Sequence, residues 1–311
     1  MCCLFLAASS TVAIAQTNVV DLVNPIIGTN GMGHTFPGAC VPFGLVQLSP
    51  DTDTIPHNVD GKYQPRSYEY CAGYQHKDSS IVGFSHTHFS GTGHSDLGDI
   101  LIMPTTGTLK LNPGTATNPD GGYRSRFSHG TEISRPGYYE VMLADYGVKA
   151  QLTTTQRVGI HKYTYPTNSE NQRIILDMIH GIYNYDGKVL WTNIRVENDT
   201  LVTGYRITNG WARTNYTYFA MSFSKPITHY GCEEKAKVNY RGGYAKFNMK
   251  ENFPDIGGRK IVAYFDFDPK TSDELEVKVA LSGVSTEGAL KNLRAEASGA
   301  DFDQLAAKAS D

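Results

Sequence analysis

The stretch GFSHTHFSGTGHSDLGD, residues 83–99, brings three histidines, two aspartates and four glycines into one short span. Apolar runs lead into and out of it, at residues 80–84 and 100–103. This pattern predicts a strand, a long polar loop and a second strand. Binding groups concentrate on loops held by a rigid scaffold, and glycine lets the backbone come close to a ligand. We therefore predict that the chain is organised to hold this loop and a second glycine-rich loop, residues 28–43.

Residues 41–48 resemble a strand, and further short strand patterns, separated by turn residues, recur at residues 139–143, 148–153, 161–165, 173–179, 201–208, 216–223, 244–249, 260–267 and 275–281. The clearest alternation is LEVKVAL, residues 275–281, in which apolar residues occupy one face and mostly charged residues the other. Many short strands of this kind predict an all-β fold, a large antiparallel β-sandwich. The pattern becomes helical at Ser285, with Ser285 or Thr286 as the expected cap. We therefore expect an N-terminal sandwich domain over residues 16–284 and the start of a helical linker over residues 285–311.

The N-terminus is apolar and ends in the small-x-small pattern Ala13-Ile14-Ala15, which predicts a signal peptide over residues 1–15. No later stretch approaches the ~20 apolar residues that a membrane span needs. A formal net charge of −3 and the absence of a lysine or arginine run argue against nucleic acid or an anionic membrane as a partner. We therefore expect a secreted or periplasmic protein.

The polar loop allows more than one chemistry. A zinc site could use His86 and His88 together with His94 and Asp96, a donor set that zinc accepts. Strand alternation would place His86 and His88 on one face. Alternatively, the histidines are hydrogen-bonded within a loop rich in glycine and serine. Nucleophilic catalysis is disfavoured because the serines near these histidines lack the G-x-S-x-G pattern. Sugar recognition is the favoured interpretation, since imidazole, carboxylate and hydroxyl groups can all bind sugar hydroxyls.

Tyr68, Tyr70 and Tyr74 lie close together in sequence and suggest a wall on which a sugar ring could stack. A strand with core-facing aromatic residues is an equally good interpretation. Glycoside hydrolysis would further require two carboxylates on either side of the bond, about 5 to 10 Å apart. The candidates are Glu69, Asp78, Asp96 and Asp99, although the last two could equally be carboxylates that cap a turn.

Several blocks of sequence together resemble one known family. They are VNPIIGT at residues 23–29, GHTFPGA at 33–39, VPFG at 41–44, QLSPDT at 47–52, CAGY at 71–74, GFSHTHFSGTG at 83–93 and SDLGD at 95–99. Their content and order resemble the start of glycoside hydrolase family 92, the calcium-dependent, inverting α-mannosidases. The resemblance runs from about residue 19 to the end of the chain and is weaker in the middle.

The resemblance implies a large N-terminal β-sandwich, a helical linker and a C-terminal (α/α)6 barrel, with the active site between the two domains. The acid, the base and the calcium ligands would come mainly from the barrel. We therefore expect no catalytic residue and no metal ligand in this chain, and calcium only in the full-length enzyme. By the same resemblance, the expected substrate contacts are His34, Tyr70, Cys71, His86, His88 and Asp96. Tryptophans are common in the family at Tyr68 and Tyr70, so the linkage preference depends on these two positions.

Together, these observations predict the non-catalytic N-terminal domain of a secreted α-mannosidase. Its substrates would be mannose-rich glycans with α-1,2 or related linkages, and its partner would be the barrel domain of the same protein. The alternative is a stand-alone carbohydrate-binding or interaction module without hydrolytic activity.

Overall fold

Two antiparallel sheets face each other in the computed structural model, which describes residues 19–53, 55–91, 97–182, 184–236 and 252–311. The strands are β1 (Ala39–Cys40), β2 (Gln47–Asp51), β3 (Asn58–Val59), β4 (Lys62–Tyr63), β5 (Ser80–Ile81), β6 (Gly83–Ser85), β7 (Leu101–Thr105), β8 (Ser125–Arg126), β9 (Ile133–Arg135), β10 (Tyr138–Leu143), β11 (Val148–Thr154), β12 (Val158–Thr164), β13 (Gln172–Asp177), β14 (Val189–Asn198), β15 (Leu201–Thr208), β16 (Asn215–Phe223), β17 (Ile227–Glu234), β18 (Asp255–Gly258), β19 (Ile261–Phe267) and β20 (Glu274–Ser282). Two helices follow, α1 (Thr286–Ala297) and α2 (Phe302–Ser310), and short 3-10 helices lie at Val19–Leu22, Pro65–Tyr70, Pro119–Gly121 and His129–Thr131.

The first sheet has seven strands in the order β1-β2-β6-β7-β13-β19-β17, and the second has nine in the order β18-β14-β15-β16-β20-β12-β11-β10-β9. Two small ribbons, β3-β4 and β5-β8, lie outside them. The main core lies between the two large sheets, where Leu48, Phe84 and Ile102 of the first meet Leu152 and Val277 of the second. The predicted antiparallel β-sandwich is therefore confirmed.

The outer face of the nine-stranded sheet is covered by the two helices. In β20, Val277 and Val279 point into the main core, whereas Ala280 packs with Ala289 of α1 and Phe302 of α2. The polar face predicted for residues 275–281 is part of this contact, because the Lys278 ammonium donates to the carbonyls of Ala297 and Ala300 at 3.0 and 2.7 Å. A cation is favourable there, since the last carbonyls of a helix have no partner of their own.

Both helices begin at residues that satisfy their first amide groups. The Ser285 hydroxyl accepts a hydrogen bond from the Gly288 amide at 3.0 Å, in agreement with the cap expected from the sequence. Asp301 and Gln304 form a reciprocal capping box at the start of α2. Among the described residues, no helix is long and apolar enough to cross a membrane.

The sequence patterns located most strands but missed two long ones. The strands expected near residues 139–143, 148–153, 201–208, 216–223 and 275–281 are present. β14 and β17 were not predicted because register shifts interrupt their regular pairing, which breaks the alternation on which strand recognition depends. The strand expected at residues 244–249 and the signal peptide at residues 1–15 lie outside the described residues.

One local prediction was wrong, and so was one of two equally open interpretations. The apolar segment at residues 41–48 is not one strand, because a turn separates β1 from β2. The segment that carries Tyr68 and Tyr70 is not a strand with core-facing aromatics, because Pro65–Tyr70 is a 3-10 helix that begins with proline. A proline is favoured at a helix start, since the missing amide has no partner there in any case.

Gly204 should be intolerant of any side chain, because β15 lies between β14 and β16 at this position. A Cβ atom would come within 2.1 Å of the Asn193 carbonyl oxygen and 2.7 Å of the Phe219 ring. We expect Gly204→Ala to lower the free energy of unfolding by about 1–3 kcal/mol. The matched control is Gly283→Ala, where nothing lies within 4 Å, and its effect should stay within about 0.5 kcal/mol. Equal thermal unfolding midpoints for the two variants would contradict this prediction.

Candidate functional site

A carboxylate on the outer face of the seven-stranded sheet organises the candidate site. Alternation along β2 points Leu48 into the sandwich core and Asp51 away from it. Loops cover Asp51 there, so that it has no exposed surface. Its Oδ1 accepts from His88 Nε2 at 2.8 Å, and its Oδ2 accepts from His180 Nε2 at 2.7 Å and from the Ser85 hydroxyl at 2.6 Å. We call these four residues the Asp51 cluster.

The electrostatics of the Asp51 cluster favour an ionised carboxylate. Burial by itself would raise the pKa of Asp51, but the charges and hydrogen bonds of His88 and His180 outweigh it and hold that pKa well below its usual range. His88 also donates through Nδ1 to the Gln47 carbonyl at 2.8 Å. Both ring nitrogens of His88 thus face acceptors, which fixes the ring beside the buried carboxylate.

A glycine makes this arrangement possible. Gly73 has a φ of +82°, and a Cβ atom there would lie 2.0 Å from Asp51 Oδ1 and 3.0 Å from His88 Nε2. Only a residue without a side chain can adopt this backbone conformation freely and lie so close to the carboxylate. The CAGY block at residues 71–74 is therefore part of the wall around Asp51.

His86 belongs to a different cluster from His88. Strand β6 ends at Ser85, so the expected placement of both histidines on one strand face was wrong. His86 donates through Nδ1 to the Ile100 carbonyl at 2.6 Å, and its Nε2 lies 3.0 Å from His161 Nε2. Tyr163 lies 2.8 Å from the other ring nitrogen of His161. One proton arrangement satisfies this whole chain, with the tyrosine donating to His161, His161 to His86, and His86 to the carbonyl.

This arrangement keeps both imidazoles neutral. Burial lowers the pKa of His86 to about 4, and it lowers the pKa of His161 well below the ordinary value, with the neighbouring ring adding to the effect. The hydrogen-bonded interpretation of the loop histidines thus describes His86 well. His94 and Asp96, the other members of the zinc set considered from the sequence, lie outside the described residues.

A buried arginine holds the loop segments that lie behind the Asp51 cluster. Arg206 of β15 is fully buried, and its Nε forms an ion pair with Asp99 Oδ1 at 3.2 Å, at an angle that is not that of a hydrogen bond. Asp99 also accepts from the Thr87 hydroxyl at 2.8 Å, and Arg206 donates to the His180 carbonyl. One arginine of the nine-stranded sheet therefore fixes both the end of the polar loop and the backbone of His180.

The two glycine-rich loops predicted from the sequence meet in the structure. The Gly91 amide donates to the His34 carbonyl at 2.9 Å. Gln75 binds the first loop, since its side chain accepts from the Gly31 amide at 2.8 Å and donates to the Gly31 carbonyl at 3.0 Å. These contacts bring the loops into one surface beside the Asp51 cluster.

His34 is the member of this surface with spare hydrogen-bonding capacity. It is 7% exposed, and its Nε2 is buried without a hydrogen-bond partner among the described residues. Its ring meets the edge of Tyr68 with the centroids 4.7 Å apart. Phe36 packs near His88 at 5.5 Å, and Phe89 is 53% exposed. The surface thus combines a polar nitrogen with aromatic side chains.

The other expected contact residues are placed as follows. Tyr70 is buried and donates to Asp78 Oδ1 at 3.2 Å. Burial and that carboxylate raise its pKa well above the ordinary value. Cys71 is fully buried against Ile182, close to Tyr68. Asp96 lies outside the described residues. Their contact with substrate stays a prediction.

Sequence reasoning missed the residues at the centre of the site. Asp51 appeared only as part of a resembling block, and His180 follows an apolar strand with no motif of its own. The two lie 129 residues apart in sequence. The available signal for Asp51 was a carboxylate at the end of an otherwise uncharged strand. His180 offered none, because its role depends on pairing between distant strands.

Comparison with known proteins supplies the family context. The sequence profile of the "Glycosyl hydrolase family 92 N-terminal domain" matches residues 22–282. Among solved structures, the family GH92 alpha-mannosidase BT3965 from Bacteroides thetaiotaomicron, solved alone and with mannoimidazole, is 41% identical with a TM-score of 0.81. The match with mannoimidazole bound covers 94% of this chain and 36% of that protein.

Two further relatives are more distant. The family GH92 inverting mannosidase BT2199 from the same organism is 26% identical with a TM-score of 0.71, over 95% of this chain and 36% of that protein. An uncharacterized secreted glycosidase from Arthroderma benhamiae is 24% identical over 314 residues, which cover 95% of this chain and 37% of the relative. This chain therefore spans little more than a third of the length of the proteins it resembles.

The buried imidazoles should make stability depend on pH. In the folded protein the pKa of His86 is about 4, against an ordinary value of 6.5, so only the unfolded chain binds its proton between these values. This ring therefore does not lower the free energy of unfolding above pH 6.5. As the pH falls from 6.5 to 4, it lowers the free energy of unfolding by up to about 3 kcal/mol. We expect His86→Gln to flatten this dependence in denaturant unfolding measured across that range.

The matched control is His57→Gln, because His57 is exposed and outside the site. This variant should keep the slope of the original protein. If His86→Gln and the original protein lose stability equally steeply between pH 6.5 and 4, His86 is not buried in its neutral form.

Proposed function

The chain belongs to the glycosyl hydrolase family 92 N-terminal domain family, and from this premise we propose that it is the sandwich domain of a secreted α-mannosidase. In this proposal the whole enzyme hydrolyses α-1,2-linked or related mannosides of mannose-rich glycans with inversion. The sandwich contributes sugar-binding loops to an active site shared with a second domain. The observation that carries the proposal is the joint surface of the two glycine-rich loops, which includes the unpartnered His34 Nε2.

The composition of this surface suits a sugar. His34 offers a nitrogen to a hydroxyl group, while Tyr68, Phe36 and Phe89 offer apolar faces to the C–H side of a pyranose ring. A buried polar atom without a partner is costly, and a ligand hydroxyl would remove that cost. We therefore propose His34 as a direct contact. His86 and His88, whose ring nitrogens are engaged within the protein, act as residues that hold the loops in place.

The acid and the base of an inverting mechanism come from outside the described residues in this proposal. Inversion requires two carboxyl groups that flank the bond and leave room for a water molecule, about 6.5–9.5 Å apart. Asp51 is locked between two histidines and Asp99 is paired with Arg206, so neither is free to exchange a proton with a substrate. Asp51 and Asp99 thus serve the loops and not the chemistry.

Calcium is also assigned to another domain of the whole enzyme. Calcium takes six to eight oxygen ligands. In the described part of the chain, the group of side chains close enough to share a metal is His76, His129 and Glu132, which offers two imidazoles and one carboxylate. This donor set does not fit calcium, and we assign the sandwich no step that involves the ion.

Apolar side chains around the site support a covering domain. Ile27 is 74% exposed and Met32 is 61% exposed, and both belong to the loop that carries His34. Exposed apolar groups concentrated at one place commonly mark an interaction surface. We propose that a barrel domain of the same protein covers them, with the region after Ser285 as the helical linker and the region before residue 16 as the signal peptide for export.

The direct test is hydrolysis of α-1,2-mannobiose in the presence of calcium. We expect activity from the full-length protein that contains this sequence and none from a chain ended at Asp311, because the acid and base are absent from the latter. Hydrolysis by the shorter chain would contradict the assignment of the acid and the base to another domain. Binding of mannobiose without any hydrolysis by the full-length protein would favour the stand-alone carbohydrate-binding module.

The role of His34 can be tested in the same assay. His34 has a φ of +54°, a backbone conformation that asparagine tolerates. His34→Asn therefore keeps the loop but shortens the side chain, and we expect kcat/KM to fall by about 10- to 100-fold for the loss of one buried hydrogen bond. The exposed control His57→Gln should keep the original kcat/KM. Unchanged kcat/KM in His34→Asn would exclude His34 as a contact.

A further inference from the structure

A second group of polar side chains lies outside the Asp51 cluster. His76 follows the wall segment that contains Gly73, and His129 begins the 3-10 helix between β8 and β9, which Glu132 ends. One ligand atom from each of these three residues lies within 4.8 Å of the others. The two imidazole rings face each other with their centroids 3.9 Å apart.

Glu132 is fixed like a metal ligand. Its side chain is 3% exposed. Oε1 accepts from the hydroxyls of Tyr74 and Tyr139 at 2.9 and 2.7 Å, and Oε2 lies 3.0 Å from the same Tyr74 hydroxyl and 2.7 Å from His129 Nδ1. Carboxylates that bind metals are commonly oriented by such outer hydrogen bonds. Within the residues that the structure describes, His129 is the only ion-pair partner of this buried carboxylate.

His76 supplies the second, independent observation. Its Nδ1 is buried and has no hydrogen-bond partner in the described part of the chain. Its backbone amide donates to the Thr29 carbonyl at 2.9 Å, which fixes the residue next to the first glycine-rich loop. A buried imidazole nitrogen without a partner is costly. A metal ion at this position would satisfy that nitrogen and balance the charge of Glu132.

We propose that His76, His129 and Glu132 form a binding site for a zinc-type divalent cation. Two imidazoles and one carboxylate are a donor set that zinc uses in proteins. Calcium and magnesium prefer oxygen ligands and should compete poorly. The side chain of His129 is 37% exposed, so a water molecule can occupy a fourth position. The cation would tie the turn between β8 and β9 to the segment that positions Gly73 and Gln75, and it is independent of the proposed hydrolysis.

The test is metal binding by the full-length protein after treatment with a chelator. Cobalt(II), followed by its visible absorption, and zinc(II), followed by calorimetry, are each titrated with calcium in excess. We expect one zinc equivalent that is lost or weakened by at least about tenfold in His76→Gln and in His129→Gln, since each removes a ligand. His57→Gln should bind as the original protein does.

Two further measurements keep the test independent of folding. Tyr139→Phe keeps the ring and removes one hydrogen bond to Glu132, and we expect zinc affinity to fall by about 10- to 100-fold. Zinc should raise the thermal unfolding midpoint of the original protein and leave that of His129→Gln unchanged. The proposal is overturned if the original protein takes up no zinc, or if the three variants bind it with the original stoichiometry and affinity.

Discussion

The buried charge of Asp51 sets the conditions for everything around it. An ionised carboxylate removed from water is unfavourable unless other groups replace the lost hydration. Here two imidazoles and a hydroxyl replace it, with Ser85 and His88 coming from one segment of the chain and His180 from another. The need to satisfy one carboxylate therefore fixes the end of β2, the loop after β6 and the turn after β13 relative to one another. The sugar-facing surface is the outer layer of this arrangement.

A second buried charge also helps to position the loops, from the side of the nine-stranded sheet. Arg206 reaches from the nine-stranded sheet and contacts both Asp99 and the backbone of His180. The sandwich is thus more than a support for the loops, because a side chain of the far sheet takes part in positioning them. Buried ion pairs of this kind contribute little net stability. Their value here is geometric, since a buried guanidinium accepts few alternative arrangements of its partners.

The sequence was informative where a property is local and uninformative where it depends on distant pairing. The alternation of residues 275–281 and the cap at Ser285 are local, and the structure confirms both. The glycine-rich loops were also recognisable, because their composition favours turns over long regular elements. By contrast, the partnership of Asp51 with His180 joins residues that share no motif. His86 and His88 belong to different clusters because β6 ends directly before His86, so strand alternation does not place them on one face.

The docking of the two helices has a consequence for local stability. α1 has 12 residues and α2 has 9, which is too short for lasting helical structure in water without tertiary contacts. Their order therefore depends on the outer face of the nine-stranded sheet, through Ala289, Phe302 and the cap from Lys278. Because only these docking contacts hold the helices, their backbone amides should exchange with solvent long before those of β12 and β20. The sheet behind them would then briefly present an apolar face to solvent.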